Sequence, residues 1–368
     1  MSGESDILTG DGRADDSPTN GSRSGGSRTG DSWSGYVMIG ALGVVLATLP
    51  FVFGASGYYS RLLDLFLLFA LLAVALNIVF GHTDQLFLFV GGLAGAGAYT
   101  TALVAGALGV SAWVTLPVGI LVCGTIGALV SWVSAKRKFT VILISILTLN
   151  LQLAFVEFFA GARSITGGST GFPFDGLALA DAAEAIGIAR NYVLYYLLLA
   201  FLVGVLVGYR RLIDSRYGLA FDAIREDEVA AAAVGIDVVR YKTIAGFLSA
   251  AVIGATGVML AGFEGYITPS LFTFLGVDVL VLIMLVLGGL RTTIGPVVGA
   301  ALVIAIREVL QRTTEYQTAV FGALLIVLFL YFRSGVVPAV GALIGRYGGR
   351  SRGKEGGERA DPDPDESS

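Results

Sequence analysis

Histidine and cysteine each occur once in these 368 residues, as His82 and Cys123. One of each cannot assemble a His/Cys zinc cluster, and a single cysteine excludes a disulfide within the chain. A Cys/His nucleophile pair would need His82 beside Cys123; against it, a cysteine inside an apolar run packs as a small hydrophobe. No lysine sits in the middle of an apolar run, which argues against a retinal-type Schiff base. The string GGRSRGKE, 348–355, matches the first seven positions of a phosphate-binding loop. Its eighth residue is Glu355, where Ser or Thr must hold magnesium, and no strand precedes it. The chain is not expected to bind ATP, a metal or a cofactor, and no convergent catalytic set is visible.

The remaining polar residues are embedded in oil. Thr148, Asn150, Gln152 and Glu157 share one apolar run. Thr148 and Gln152 are four apart and share a helix face, which must look at protein or a cavity rather than lipid. Two readings stand: a hydrogen bond between helices, or the lining of a path. Glu157 falls near the end of its run, within reach of water. Asp278 is a stronger candidate for a buried acid, and Arg291 is too far along the same helix to pair with it. Gly288, Gly289, Gly295, Pro296 and Gly299 mark a turn between closely packed helices.

One stretch departs from the rest: RYGLAFDAIREDEVAAAAVGIDVVRYK, Arg216 to Lys242, surrounds four alanines with charge of both signs. Asp222 to Arg225 continues one helix. Asp227 can cap a second, with Glu228 at its positive end and Gly235 as a left-handed terminator. A helix of about two turns is not stable alone in water, so it needs something to dock into. Ala230 to Ala233 offer a shallow apolar surface for that. The competing reading is a solvated loop that happens to be helical.

The elements that must position these residues follow from composition. The chain is 55% hydrophobic and 14% charged, against roughly 25% charged in soluble domains. Apolar runs near 36–54, 62–80, 86–109, 112–134, 139–160, 192–209, 243–263, 273–288, 293–310 and 316–333 predict an all-α integral membrane protein of about ten spans. The third run is broken by glycines and the eighth is short, so either is a candidate for partly re-entrant structure. Lysine and arginine bias puts the loops at 136–138, 210–242 and 291, and the tail, in the cytoplasm, with both termini inside. The polar tails, 1–34 and 339–368, are expected to be disordered, leaving a transmembrane domain at 35–338. Neither tail reads as a cleaved signal. The segment Gly161–Asn191, with ITGGSTGFPFDG, is long and broken enough to be a lid or a docking surface.

The combination of AIREDE, AAAAVGI and RYK in the loop with FLGVDVLVLIMLVLGGLRTTIGPVVGAALV downstream resembles the permease subunit of the branched-chain amino acid ABC transporter family. LNIVFG (76–81), GAGAYTTAL (95–103), TLNLQ (148–152), TGGSTGFPF (166–174) and EYQTAVFGALLIVLFLYFRSGV extend the resemblance over about 62–338. It implies that the loop is the helix that seats on a separate ATPase, carried by Arg225, Glu226, Asp227, Glu228, Ala231, Ala232, Gly235 and Ile236. It also implies a path drawn from Gln85, Tyr99, Thr148, Gln152, Gly167 and Gly168. The implied partners are cytoplasmic ATPase subunits, a second homologous membrane permease, an extracellular substrate-binding protein and an amino acid, in the plasma membrane, with no nucleic acid.

Two departures stand out. The superfamily's Glu six residues before the Gly is Val229 here, with the acid at Glu228. Phe87, Phe89 and Val90 occupy ground where relatives carry Ser and Gly-His, which removes donors that a strongly polar solute would want; the resemblance implies leucine, isoleucine or valine as cargo, with urea or a short amide, handled by related permeases, as the alternative. An ion-coupled secondary transporter would need intramembrane ionisable groups and inverted repeats; acids are few and no duplication is visible.

Overall fold

The computed structural model describes residues 28–53, 57–174 and 190–313, plus isolated positions at 176, 177, 184, 187, 322, 323 and 326. Most of the expected span at 316–333, the tails at 1–27 and 339–368, and most of 175–189 lie outside the described residues. Among the described residues, seven helices are long and apolar enough to cross a membrane: α1 (Arg28–Phe53), α2 (Gly57–Leu76, prolonged by a π-turn Asn77–Gly81), α3 (Val90–Leu108), α4 (Ala112–Lys136), α5 (Val141–Gly161), α7 (Arg190–Ile213) and α10 (Val238–Glu264). Between them lie the short α6 (Arg163–Thr166), α8 (Arg216–Glu226) and α9 (Glu228–Ala233). After α10 come α11 (Val279–Gly288), preceded by a π-turn at Phe274–Asp278, and α12 (Gly295–Thr313).

Helix α1 begins inside the segment that composition assigns to a polar tail. Its Pro50 lacks the N–H that would bond the carbonyl of Leu46. The Tyr195 hydroxyl of α7 donates to that carbonyl at 2.7 Å, and Tyr196 donates to Ala47 at 3.1 Å. The carbonyl that the proline leaves without its helical donor is thereby satisfied.

The centre of the bundle is α2, with Ala70–Leu76 buried all round, as a helix apolar on every face must be. It packs against α7, α10, α11 and α12, and α10 packs in turn on α3 and α4. Glycine sets that last spacing: a Cβ at Gly257 would lie 2.0 Å from the Ala94 carbonyl oxygen, and one at Gly97 would lie 2.4 Å from that of Gly254. Small residues let the backbones touch, which is how helices associate where no hydrophobic drive separates helix from lipid. The turn between α11 and α12 is built the same way, with a Gly299 Cβ only 1.8 Å from the Met284 oxygen; the glycines expected to pack closely here do so.

Two expected spans are shorter than their apolar runs. Residues 84–89 are not helical and α3 starts only at Val90. The run at 273–288, preceded by a 3-10 turn at Pro269–Phe272, yields a π-turn followed by the ten residues of α11. At the end of the bundle opposite α8 and α9, Phe172–Pro173 (β1) pairs antiparallel with Tyr266–Ile267 (β2).

Candidate translocation and coupling site

The irregular stretch 84–89 and the broken start of α11 meet inside the bundle. The first backbone donors of a helix have no intrahelical partner, and those of α3 are met by side chains from elsewhere. The carboxylate of Asp278 accepts from Val90 N at 2.5 Å and from Gly91 N at 3.3 Å. Gln152 Oε1 of α5 accepts from Gly92 N at 2.5 Å, while its Nε2 donates to the Phe272 carbonyl at 2.7 Å. Thr148 Oγ1 accepts from Leu88 N at 3.0 Å. Gln85 donates to Thr83 at 2.9 Å and accepts from Ser134 of α4 at 3.2 Å. A carboxylate at a helix amino terminus also complements the dipole, so Asp278 needs no cationic partner.

Helical rise fixes the depth of this joint. Gln152 stands eleven residues above Val141, about 16 Å up its helix, and Asp278 ten residues above the Gly288 turn, about 15 Å. Both lie near the middle of a roughly 30 Å core. Non-helical backbone persists at that depth only when protein or a water-filled cavity satisfies it; here side chains do.

Of the residues expected along a path, Gln85, Thr148 and Gln152 are therefore buried within this chain as ties between segments. Tyr99 is buried too, stacked on Phe159 at 4.5 Å and edge-on to Phe172 at 6.0 Å, its hydroxyl without a partner among the described residues. Phe87, Phe89 and Val90 are fully covered. Gly167 and Gly168 form a turn at the far end with φ of +73° and +67°. Close by, Gly171 leaves no room for a Cβ, which would fall 1.9 Å from the Ile267 oxygen. Reading the sequence singled out Asp278 as buried without finding its partner. The missed signal was the pair Gly91–Gly92, a helix start with no capping residue before it.

The charged loop occupies the opposite end. Ser215 caps α8, whose Phe221 and Ile224 are buried beneath it. Asp227 caps α9, its Oδ1 accepting from Val229 N at 2.7 Å and Ala230 N at 3.1 Å. Gly235 has φ +88°, and the Ile236 N–H closes on the Ala231 carbonyl at 3.1 Å, the six-to-one bond of a helix stopped by a left-handed residue. Glu228 forms an ion pair with Lys242 of α10, and Asp222 lies 3.7 Å from Arg291 in the α11–α12 turn. Of the alanines, Ala231 packs inward while Ala230, Ala232 and Ala233 are exposed. Val229 and Val234 flank them at 75% and 77% exposure. Arg225 and Ile236 are half-buried; Glu226, Asp227 and Gly235 are exposed.

His82 sits under this loop. Its Nε2 is 2.7 Å from the Tyr209 hydroxyl, with Phe221 packed beside the ring. Burial, reinforced by Arg291 and Arg225 and opposed by Asp222, lowers its pKa to about 4. Asn77, in the turn that ends α2, donates to Tyr209 and to the Thr292 carbonyl, both at 3.1 Å, and accepts from Arg291 N at 2.9 Å. These bonds tie the core helix to the turn that touches the loop. Cys123 lies elsewhere, donating to the Leu93 carbonyl, so the structure does not bring the chain's cysteine and histidine together as a catalytic pair. Among the described residues no cluster of His, Cys, Asp or Glu could hold a metal.

Both the joint and the loop fall within the stretch of the chain that matches known proteins. A family model described as branched-chain amino acid transport system / permease component matches residues 58–329. The high-affinity branched-chain amino acid transport system permease protein LivM of Escherichia coli K12 is 27% identical over 335 residues, covering 86% of this chain and 78% of LivM. The LivM of Salmonella typhimurium is 26% identical over the same share of each chain. The LivH permease protein of Escherichia coli K12 is 32% identical over 126 residues, covering 33% of this chain and 40% of LivH. With most of its length matched, this multi-pass membrane chain belongs to the family of permease components of branched-chain amino acid transport systems.

Proposed function

We propose that the chain is one of two membrane permease subunits of an ATP-driven importer of leucine, isoleucine, valine or a closely related small amino acid. The observation that carries this reading is α9: a six-residue helix, capped at both ends and braced by Glu228–Lys242, that turns an apolar surface outward instead of into its own bundle. A helix this short gains little by itself, so its outward surface is best explained by a seat on another protein. That partner is a cytoplasmic ATPase, since the chain carries no nucleotide-binding loop of its own. The loop 210–242 and both termini face the cytoplasm by charge bias. The β1–β2 end faces outward, where an external binding protein delivers cargo.

Cargo is recognised first by that binding protein, and the apolar residues Phe87, Phe89 and Val90 pack inside the chain rather than line a surface. The test is uptake by the complete transporter reconstituted with its binding protein. ATP-dependent accumulation of a branched-chain amino acid is expected. Uptake of urea or a short amide, and of none of the three amino acids, would replace the cargo while keeping the class. A cysteine placed at Ser215 in a Cys123→Ala chain should resist impermeant thiol reagents added outside intact cells; labelling there would reverse the orientation.

A further inference from the structure

The polar residues of α5 fall on two opposite sides. Thr148 and Gln152 face inward and hold the joint. Asn150 stands two residues from each of them, about 200° around the helix, and is exposed. Glu157, seven residues further, repeats that side two turns on and about 10 Å higher; it too is exposed and has no basic partner in ion-pair range among the described residues. Helix α5 is also the least covered of the seven long apolar helices.

Asn150 lies nine residues into the helix, about 14 Å from its start and near the middle of the hydrocarbon. Its Nδ2 donates to the Ile146 carbonyl at 2.7 Å, which leaves its carbonyl oxygen and second N–H facing out. Polar side chains at that depth turn toward protein or water, because hydrocarbon offers no hydrogen bond. The neighbours on the same side, Ile146 and Leu153, are exposed and apolar. The face is therefore mixed: apolar surface with one amide at mid-depth and one carboxylate above it.

We infer that this outward side of α5, centred on Asn150 and Glu157, is a wall of the translocation path. It is wetted by the path and closed on its far side by the second permease subunit. The spacing suits a small zwitterion with an apolar side chain: the Glu157 carboxylate meets the ammonium on entry, Asn150 offers a donor and an acceptor at mid-depth, and Ile146 and Leu153 meet the side chain. This inference rests on the importer reading above and replaces Thr148 and Gln152 as path residues with the opposite side of their helix.

The test uses single cysteines at Asn150 and Glu157, with Leu121→Cys on the exposed apolar side of α4 as control, all in a Cys123→Ala chain within the complete transporter. A charged, membrane-impermeant methanethiosulfonate attacks the thiolate, and each unit by which an apolar setting raises a thiol pKa lowers the thiolate fraction about tenfold. Asn150→Cys should react at least ~10-fold faster than Leu121→Cys, and saturating leucine with ATP should change the rate. Reaction of Asn150→Cys no faster than the control would overturn the inference, since the position would then face lipid or a dry interface. Glu157→Gln should raise KM for leucine with kcat nearly kept, and Glu157→Asp should restore it. Uptake by the Cys123→Ala parent reports on the importer reading separately, because the labelling rates do not depend on which solute is carried.

Discussion

Replacing Asp278 tests the mid-membrane joint. Asp278→Ala removes the side-chain acceptor of Val90 N and Gly91 N. Each buried donor left unsatisfied costs about 1–3 kcal/mol, so the pair costs about 2–6 kcal/mol, with up to ~2 kcal/mol more from the lost charge at the helix amino terminus. Asp278→Asn keeps an oxygen in place and forfeits only the charge, about 0.3–2 kcal/mol. Since 1 kcal/mol shifts Tm by about 2–4 °C in chains of 150–250 residues, the alanine variant should melt at least about 4 °C below the parent, and the asparagine variant between the two. The assay is thermal unfolding of the detergent-purified chain followed by size-exclusion recovery, with transport measured alongside. An alanine variant melting within about 1 °C of the parent would refute the joint as a determinant of the fold. An asparagine variant as damaged as alanine would show that the acceptor geometry is not what matters.

Ala232→Arg should leave the chain folded and abolish ATP-dependent uptake, because it alters only an exposed position of α9; normal uptake with normal ATPase stimulation would remove the coupling role. Gly257→Val should prevent recovery of folded protein, since even its Cβ would sit 2.0 Å from the Ala94 oxygen; equal recovery by size-exclusion would contradict the observed approach of α10 to α3. His82 carries a pH dependence. Its folded pKa of about 4 lies below the ordinary histidine value of 6.5, so the unfolded chain binds the proton first, and stability is complete above about 6.5 and falls as pH drops toward 4. At pH 5 the loss is about 2 kcal/mol. His82→Gln, which can still bond Tyr209, should lose less Tm than the parent between pH 7.5 and 5; equal losses would exclude His82 as the source.

How much of this was legible in the sequence depended on whether the responsible force is local. The loop was: Asp227, Glu228 and Gly235 act on backbone within a few residues, so the amino-terminal cap and the stop of α9 follow from residue type and order. The membrane class was legible too, because twenty apolar residues admit few other outcomes. The start of α3 was not. Its donors are satisfied by Asp278 and Gln152, 188 and 60 residues away in the chain, and no local pattern states which distant carboxylate meets which amide. Nor could the sequence assign the two sides of α5. Thr148, Asn150 and Gln152 alternate along one apolar run, and helical spacing alone says only that Asn150 opposes the other two. Packing against α3 decided which side turned inward: Thr148 and Gln152 bond the backbone around Val90, and Asn150 is left on the outer side.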